Sequence, residues 1–155
     1  MKIRLAEHSD LEQLAHLRWE HWAENGSDPA MQERCSFITG FEEFFGPELN
    51  QDWLVWCAVE AETIVSHAYI QRVRKVPKPS KSVDAFGYVS NVYTRPSHRG
   101  AGVGSQVMER VKSWALEADL EFLVLWPSRR SLPFWQRMDY SVDHPLVLEL
   151  RPYTF

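Results

Sequence analysis

The sequence predicts an α/β protein: a mixed sheet of about six to seven strands flanked by about four helices. Two stretches carry most of that prediction. The apolar run Trp53-Leu54-Val55-Trp56-Cys57-Ala58-Val59 is followed, after the short turn Glu60-Ala61-Glu62, by a second strand from Thr63 to Val73, which makes a hairpin. Then Gly87 to Trp126 reads as a strand, a glycine-rich turn, one long amphipathic helix and another strand. Strand, helix and strand at that spacing form a right-handed crossover, so its two strands run parallel while the hairpin runs antiparallel.

Taken in order, Lys2 to Glu7 is a short edge-like strand with Ile3 and Leu5 on one face. Ser9 opens a helix and Glu12 follows three residues later, the spacing of a capping box. Leu11, Leu14, Ala15, Arg18 and Trp22 keep helical periodicity to about Glu24, and Asn25-Gly26-Ser27-Asp28-Pro29 ends it. A second helix covers Ala30 to Phe45 and is rich in aromatics. The segment from Arg74 to Ser82 is a polar loop carrying Lys75, Lys78 and Lys81, read first as solvated and alternatively as a contact for an anionic ligand. Val83 to Thr94 is the strand entering the glycine turn. In the helix after that turn, Val103, Val107, Met108, Val111, Trp114, Ala115 and Ala118 share one face. Phe122 to Trp126 is a buried strand, Arg129 to Met138 a short helix, and Ser141-Val142 and Leu146 to Leu150 the final strands.

At 155 residues, with 45% hydrophobic and 25% charged residues, the chain is expected to form one domain over 1–155 of ordinary soluble type. A net charge of −4 gives no basis for nucleic-acid binding. No apolar run reaches the roughly 18 residues of a membrane span, and the start has no apolar secretory core. Cys35 and Cys57 have neither metal-type pairing nor a disulfide framework, so a cytoplasmic protein with reduced thiols and no metal is expected.

Arg99-Gly100-Ala101-Gly102-Val103-Gly104 sits where the chain turns into its long helix. Its glycines let the backbone approach a ligand closely, and a helix starting there aims unpaired N–H groups at a phosphate or pyrophosphate. A dinucleotide loop needs G-x-G-x-x-G, yet counting from Gly100 or Gly102 the third glycine position holds Ser105 or Val107. A triphosphate loop needs Gly-Lys-Ser/Thr, and Gly104 is followed by Ser105-Gln106. The turn does fit Arg/Gln-x-x-Gly-x-Gly/Ala through Arg99, Gly102 and Gly104. Two more segments fit the same pattern: Asn91-Val92-Tyr93-Thr94-Arg95-Pro96-Ser97-His98-Arg99-Gly100, and Leu132-Pro133-Phe134-Trp135-Gln136-Arg137-Met138-Asp139-Tyr140.

On those three segments the chain resembles the GNAT superfamily of N-acetyltransferases. The resemblance implies a GNAT-like fold with a wedge for acetyl-CoA between the fourth and fifth strands. It implies that Val92, Tyr93 and Thr94 carry the pantetheine arm. Arg99, Gly100, Ala101, Gly102, Val103, Gly104 and Ser105 would take the pyrophosphate, with Ser128 and Trp135 near the arm. The implied activity is acetyl transfer to a small-molecule or peptide amine by direct attack on the thioester.

Catalytic groups depart from the family pattern. The position of the usual acidic tyrosine holds Trp135, whose indole donates a hydrogen bond but is no acid near neutral pH. Asp139 replaces the usual glycine before Tyr140, and the fourth strand from Tyr88 to Thr94 has no carboxylate for a general base. His67, or water relayed by Ser90 and Asn91, is expected to take the amine proton. Trp19, Trp22 and Glu24 are the expected acceptor-binding residues, and the acidic chain favours a cationic amine. The partner is then that amine, with a homodimer as an allowed assembly and no nucleic acid or membrane. The alternative, motivated by Trp135 and the bare fourth strand, is a non-catalytic acyl-CoA-binding sensor or interaction module.

Overall fold

The computed structural model describes residues 1–24, 31–77, 79 and 85–142. They fall in two compact units, Met1–Val124 and Leu125–Phe155. The first holds strands β1 (Lys2–Leu5), β2 (Trp53–Glu60), β3 (Thr63–Arg74), β4 (Ala85–Thr94) and β5 (Leu123–Val124). It also holds helices α1 (Leu11–Ala23), α2 (Met31–Glu48) and α3 (Val103–Glu117). The sheet order is β1-β2-β3-β4-β5, antiparallel up to β4 and parallel between β4 and β5. The hairpin and the crossover therefore share one mixed sheet.

The continuous apolar run of β2 follows from its position, because both faces of the sheet are covered. Val55, Cys57 and Val59 join Leu14 and Leu17 of α1 and Phe41 and Phe45 of α2 in one buried cluster. The alternate residue Trp56 points the other way, where Arg110 of α3 lies 5.4 Å from its ring. Helix α3 packs across β2, β3 and β4 and buries Val103, Val107, Met108, Val111 and Ala115. Burying each of the larger side chains is worth roughly 1.5–3 kcal/mol, so this stripe anchors the helix firmly.

Several boundaries differ from the sequence reading. The first capping box is formed by Glu7 and Asp10 rather than Ser9 and Glu12, and a 3-10 turn at His8–Asp10 precedes α1. Arg4 explains the shift: its guanidinium grips Asp10 at 2.6 and 2.9 Å, which fixes Asp10 where the Glu7 N–H reaches it. Helix α2 runs past Phe45 to Glu48, with Pro47 tolerated in its last turn. Strand β5 keeps only two of the five expected residues. Ser141 and Val142 are not a strand, so five strands are seen among the described residues. The helix break at Asn25–Pro29, Lys78, Lys81, the start of the 83–94 strand and the strand at Leu146–Leu150 lie outside the described residues.

The second unit contributes α4 (Leu132–Arg137), shorter than the expected 129–138. Ser128 closes the turn before it, accepting from the Ser131 N–H at 3.2 Å. Asp139, at the position where the family pattern has glycine, adopts φ 63° just past the helix end. That left-handed conformation is what a glycine supplies freely and what Asp tolerates.

Candidate active site

The sheet opens along β4. Gly87 and Tyr88 pair with Leu123 and Val124, and β5 goes no further. Close approach needs the glycine: a Cβ at Gly87 would lie 2.5 Å from Leu123 Cδ2 and 3.4 Å from Ile70 Cγ2. Among the described residues, Val89 to Thr94 therefore have β3 as a partner on one side and no strand on the other. On the β3 side the ladder is broken by a bulge. Tyr69 faces Ser90 and His67 faces Tyr93, so Asn91 and Val92 together oppose Ala68, and Asn91 takes φ 46°. Past the bulge, Ser66 Oγ donates to the Tyr93 carbonyl at 2.8 Å and lies 2.8 Å from Thr94 Oγ1.

Beyond Thr94 the chain turns through Pro96–His98 into the glycine segment. Gly100 has φ 77° and Gly102 φ 75°, and a Cβ built at either meets nothing within 4 Å. The cradle is thus open in front of both glycines. Gln106 N–H closes the first helical bond onto the Gly102 carbonyl at 3.0 Å. The N–H groups of Val103, Gly104 and Ser105 precede that bond and have no intrahelical acceptor. No side chain caps them and no acidic residue stands in the first turn of α3. A pyrophosphate fits this positive, uncapped end of a 15-residue helix on both shape and charge.

Two carboxylates of α1 hold the exit of β4. Glu24 grips Arg99 with two bonds of 2.7 Å, and Arg99 Nε donates to the Thr94 carbonyl at 2.9 Å. Glu20 holds Arg95 in the same two-bond fashion at 3.1 and 3.0 Å. The hydrogen bond to Glu24 raises the Arg99 pKa, so its charge is secure. Arg99 also lies 5.3 Å from the Tyr93 ring. Burial, and then the Glu24 carboxylate, push the Tyr93 phenol up to about 12. Neither Tyr93 nor Arg99 changes charge near neutral pH.

Beneath the bulge lies a polar cluster inside the α1-covered face. His21 stacks on Tyr93 with ring centroids 4.8 Å apart, and His67 lies 4.8 Å from Tyr69 and 6.0 Å from Tyr93. His67 is fully buried, and desolvation, followed by the effects of His21 and Arg18, depresses its pKa well below the usual range. The Asn91 carbonyl favours a proton on the ring, but neither nitrogen reaches a partner in hydrogen-bond geometry. Desolvation, and then Arg18, bring His21 down to about 4. Both imidazoles are neutral at pH 7. The buried Tyr69 hydroxyl has no partner among the described residues either, and burial raises its pKa well above the usual value.

The expected site residues are distributed accordingly. Val92 to Ser105 form one continuous path from bulge to helix, and His67, Ser90 and Asn91 flank its start. Ser90 is half-buried and Asn91 exposed, with Asn91 Nδ2 3.4 Å from Ser90 Oγ. Glu24 is bound to the turn through Arg99. The Trp19 and Trp22 rings lie 5.2 Å apart and tilted by 58°, with Phe37 5.4 Å from Trp19. In the second unit, Trp135 is buried and its indole N–H donates to Ser131 Oγ at 3.2 Å. Of the basic residues expected in the loop from Arg74 onward, Arg74 ends β3 and pairs with Asp52, and Lys75 pairs with Glu121. Sequence reasoning gave Arg18 and Tyr69 no site role. Arg18 did carry a signal, a cation at a position of the apolar stripe between Leu14 and Trp22.

Among the described residues no group of His, Cys, Asp and Glu could hold a metal ion, and no helix is long and apolar enough to cross a membrane. Residues 11–140 match the family model of the acetyltransferase (GNAT) family. No curated protein matches the chain. Among solved structures it is similar to a GCN5-related N-acetyltransferase from Ralstonia eutropha JMP134, at 25% identity and a TM-score of 0.77, covering 98% of this chain and 97% of that one. A predicted acetyltransferase with acetyl-CoA from Clostridium acetobutylicum is 24% identical with a TM-score of 0.77, and 96% of each chain is covered. A ribosomal-protein-alanine N-acetyltransferase from Brucella melitensis biovar Abortus 2308 shares the fold at 16% identity and a TM-score of 0.72, covering 96% and 99%. With the open edge of β4, the bulge and the uncapped glycine turn in place, the chain belongs to the GNAT acetyltransferase family.

Proposed function

We propose that the chain works as one acetyltransferase domain over residues 1–155, a cytoplasmic enzyme that moves an acetyl group from acetyl-CoA to the amine of a small molecule or peptide. The observation that carries this reading is the open edge of β4 running straight into the uncapped N-terminus of α3. Acetyl-CoA supplies an activated acetyl group as a thioester. The N–H groups of Val103, Gly104 and Ser105 hold its pyrophosphate, with the Ser105 hydroxyl alongside. Backbone groups of Val92, Tyr93 and Thr94 align its arm as an added strand.

The protein's part in the reaction is mainly positioning. The bulge at Asn91 and Val92 interrupts the ladder and frees backbone donors to face developing negative charge. Proton removal from the amine runs through water held at Ser90 and Asn91. His67, the alternative acceptor of that proton, is neutral and a weak base in its fully buried setting. Trp135, at the position of the family's usual acid, commits its N–H to Ser131 and carries no acidic proton near neutral pH.

The test is calorimetric titration with acetyl-CoA and desulfo-CoA, followed by a thiol-release screen over amines, amino acids, polyamines and aminoglycosides. Binding with amine-dependent thiol release is the expected result. Absence of binding at millimolar coenzyme defeats the reading. Binding without turnover on any amine replaces it with the sensor reading, for which the committed Trp135 indole is the favouring observation.

A further inference from the structure

Arg18 is the one cation at the polar cluster under the bulge for which no carboxylate is found among the described residues. The neighbouring guanidiniums are all satisfied: Arg95 by Glu20, Arg99 by Glu24 and, further along the sheet, Arg4 by Asp10. Arg18 is half-buried on the face of α1 that also carries Leu14 and His21, each about one turn away. Burial lowers its pKa, and the single neighbour that opposes this effect is the Tyr69 phenol, itself protonated. His21 and His67 feel the Arg18 charge and are held neutral partly by it. Burial works against the Arg18 charge, and no carboxylate among the described residues offsets it.

The orphan groups beside it point the same way. The Tyr69 hydroxyl is fully buried without an acceptor, on the face of β3 that also carries His67, whose two ring nitrogens are equally unpartnered. Leaving a buried hydroxyl unpaired costs about 1–3 kcal/mol. One positive charge, one hydroxyl donor and two neutral imidazoles therefore share a single spot. The strand register sets that spot against the place of transfer, since Tyr69 lies opposite Ser90 and His67 opposite Tyr93, on either side of the bulge at Asn91 and Val92.

We propose that Arg18 and the Tyr69 hydroxyl receive a carboxylate of the acceptor, so that the acetylated substrate is an amino-acid-type amine bearing its own carboxylate. The assignment rests on the amine-acetylation reading above and deepens it. A planar monoanion suits the donors present: the guanidinium fork takes two oxygens and the phenol adds a third bond. A phosphate dianion would stay undercompensated by a lone arginine between neutral rings. The earlier expectation of a cationic amine came from net charge, a property of the whole surface. The interior cluster has the opposite sign.

The test uses acceptors matched in all but charge: the standard amino acids, their carboxamides and the corresponding decarboxylated amines, each with saturating acetyl-CoA. The expected result is a kcat/KM at least about tenfold higher for the best carboxylates, expressed mainly in KM, the scale of one charge-assisted contact. Carboxamides or decarboxylated amines that match or exceed them overturn the proposal. A second arm needs no turnover: N-acetylamino acids are titrated calorimetrically into the protein with CoA. Binding should weaken about tenfold or more in Arg18→Gln and partly recover in Arg18→Lys. In Tyr69→Phe it should weaken while thermal stability stays level or rises, because an unpaired hydroxyl is removed. That last readout holds even if Arg18→Gln folds poorly, and undiminished binding by Tyr69→Phe and Arg18→Lys overturns the proposal. If N-acetylamino acids bind as expected but no amine is turned over, the carboxylate site stands and the acetyltransferase reading falls. If amines are turned over but no N-acetylamino acid binds, the reverse holds.

Discussion

The turn from Arg99 to Ser105 and the cluster of Arg18, His21, His67 and Tyr69 are both arranged around charge, and they are built in opposite ways. The turn works with backbone. Two glycines at positive φ and the unpaired N–H groups of α3 make its positive end, and its principal side-chain cation, Arg99, is already spent on Glu24. The cluster works with side chains. It gathers groups from α1 and β3, among them the Tyr69 hydroxyl and the two His67 nitrogens, which are buried with no partner among the described residues. The comparison teaches that a site made of main chain costs the fold little when empty, because solvent reaches its N–H groups. A site made of buried side chains keeps an energetic debt until a ligand fills it.

The largest break in this contrast is expected from Gly102→Val. A β-branched residue at φ 75° costs about 1–2 kcal/mol of backbone strain, and its side chain fills the open space in front of the cradle. Acetyl-CoA affinity should fall by about a hundredfold or more in calorimetric titration, by loss of close backbone approach. Retained affinity would mean that the pyrophosphate does not sit at this turn.

A middle-sized effect belongs to the cluster. The unfolded chain protonates His21 near 6.5, while the folded protein resists protonation until about 4. Between those values the unfolded state binds more protons, so stability is fully present above 6.5 and is lost as the pH falls toward 4. His67 acts in the same direction. Asp10 titrates below its ordinary 3.8 because of its bonds to Arg4, so it stays out of this window. Thermal midpoints measured from pH 7 down to 4 should drop for the native chain and drop less steeply for His21→Phe, which keeps a ring on Tyr93. An unchanged slope in that variant would remove His21 as a source of the effect.

The smallest effect sharpens the contrast from the other side. Ser105→Ala removes a hydroxyl but leaves the N–H of residue 105 in place. Acetyl-CoA affinity should change by less than about tenfold, the worth of one ordinary hydrogen bond. A much larger loss would show that side chains, rather than main chain, carry the turn.

What was legible in the sequence follows from what is local. The glycine turn, the stripe of α3 and the apolar run of β2 are patterns along the chain, and each appears where periodicity and spacing put it. Even there, edges moved: Asp10 replaced Glu12 in the first cap because Arg4, six residues earlier, reaches it. Strand β5 shrank because its pairing ends at Val124, and no feature of Phe122 to Trp126 announces where a partner strand stops.

The sequence by itself determined the mixed sheet, the crossover and the turn that marks the family, since each is written in neighbouring residues whose backbone preferences need no distant partner. Only the tertiary structure decided that Glu24 would hold Arg99 across 75 positions, that His67 would be sealed from water, and that Arg18 would lie half-buried near Tyr69 with no carboxylate paired to it among the described residues. A pKa, a desolvation cost or an unpaired hydroxyl is a property of what surrounds a group in space, and that surrounding exists only once the helices have docked on the sheet.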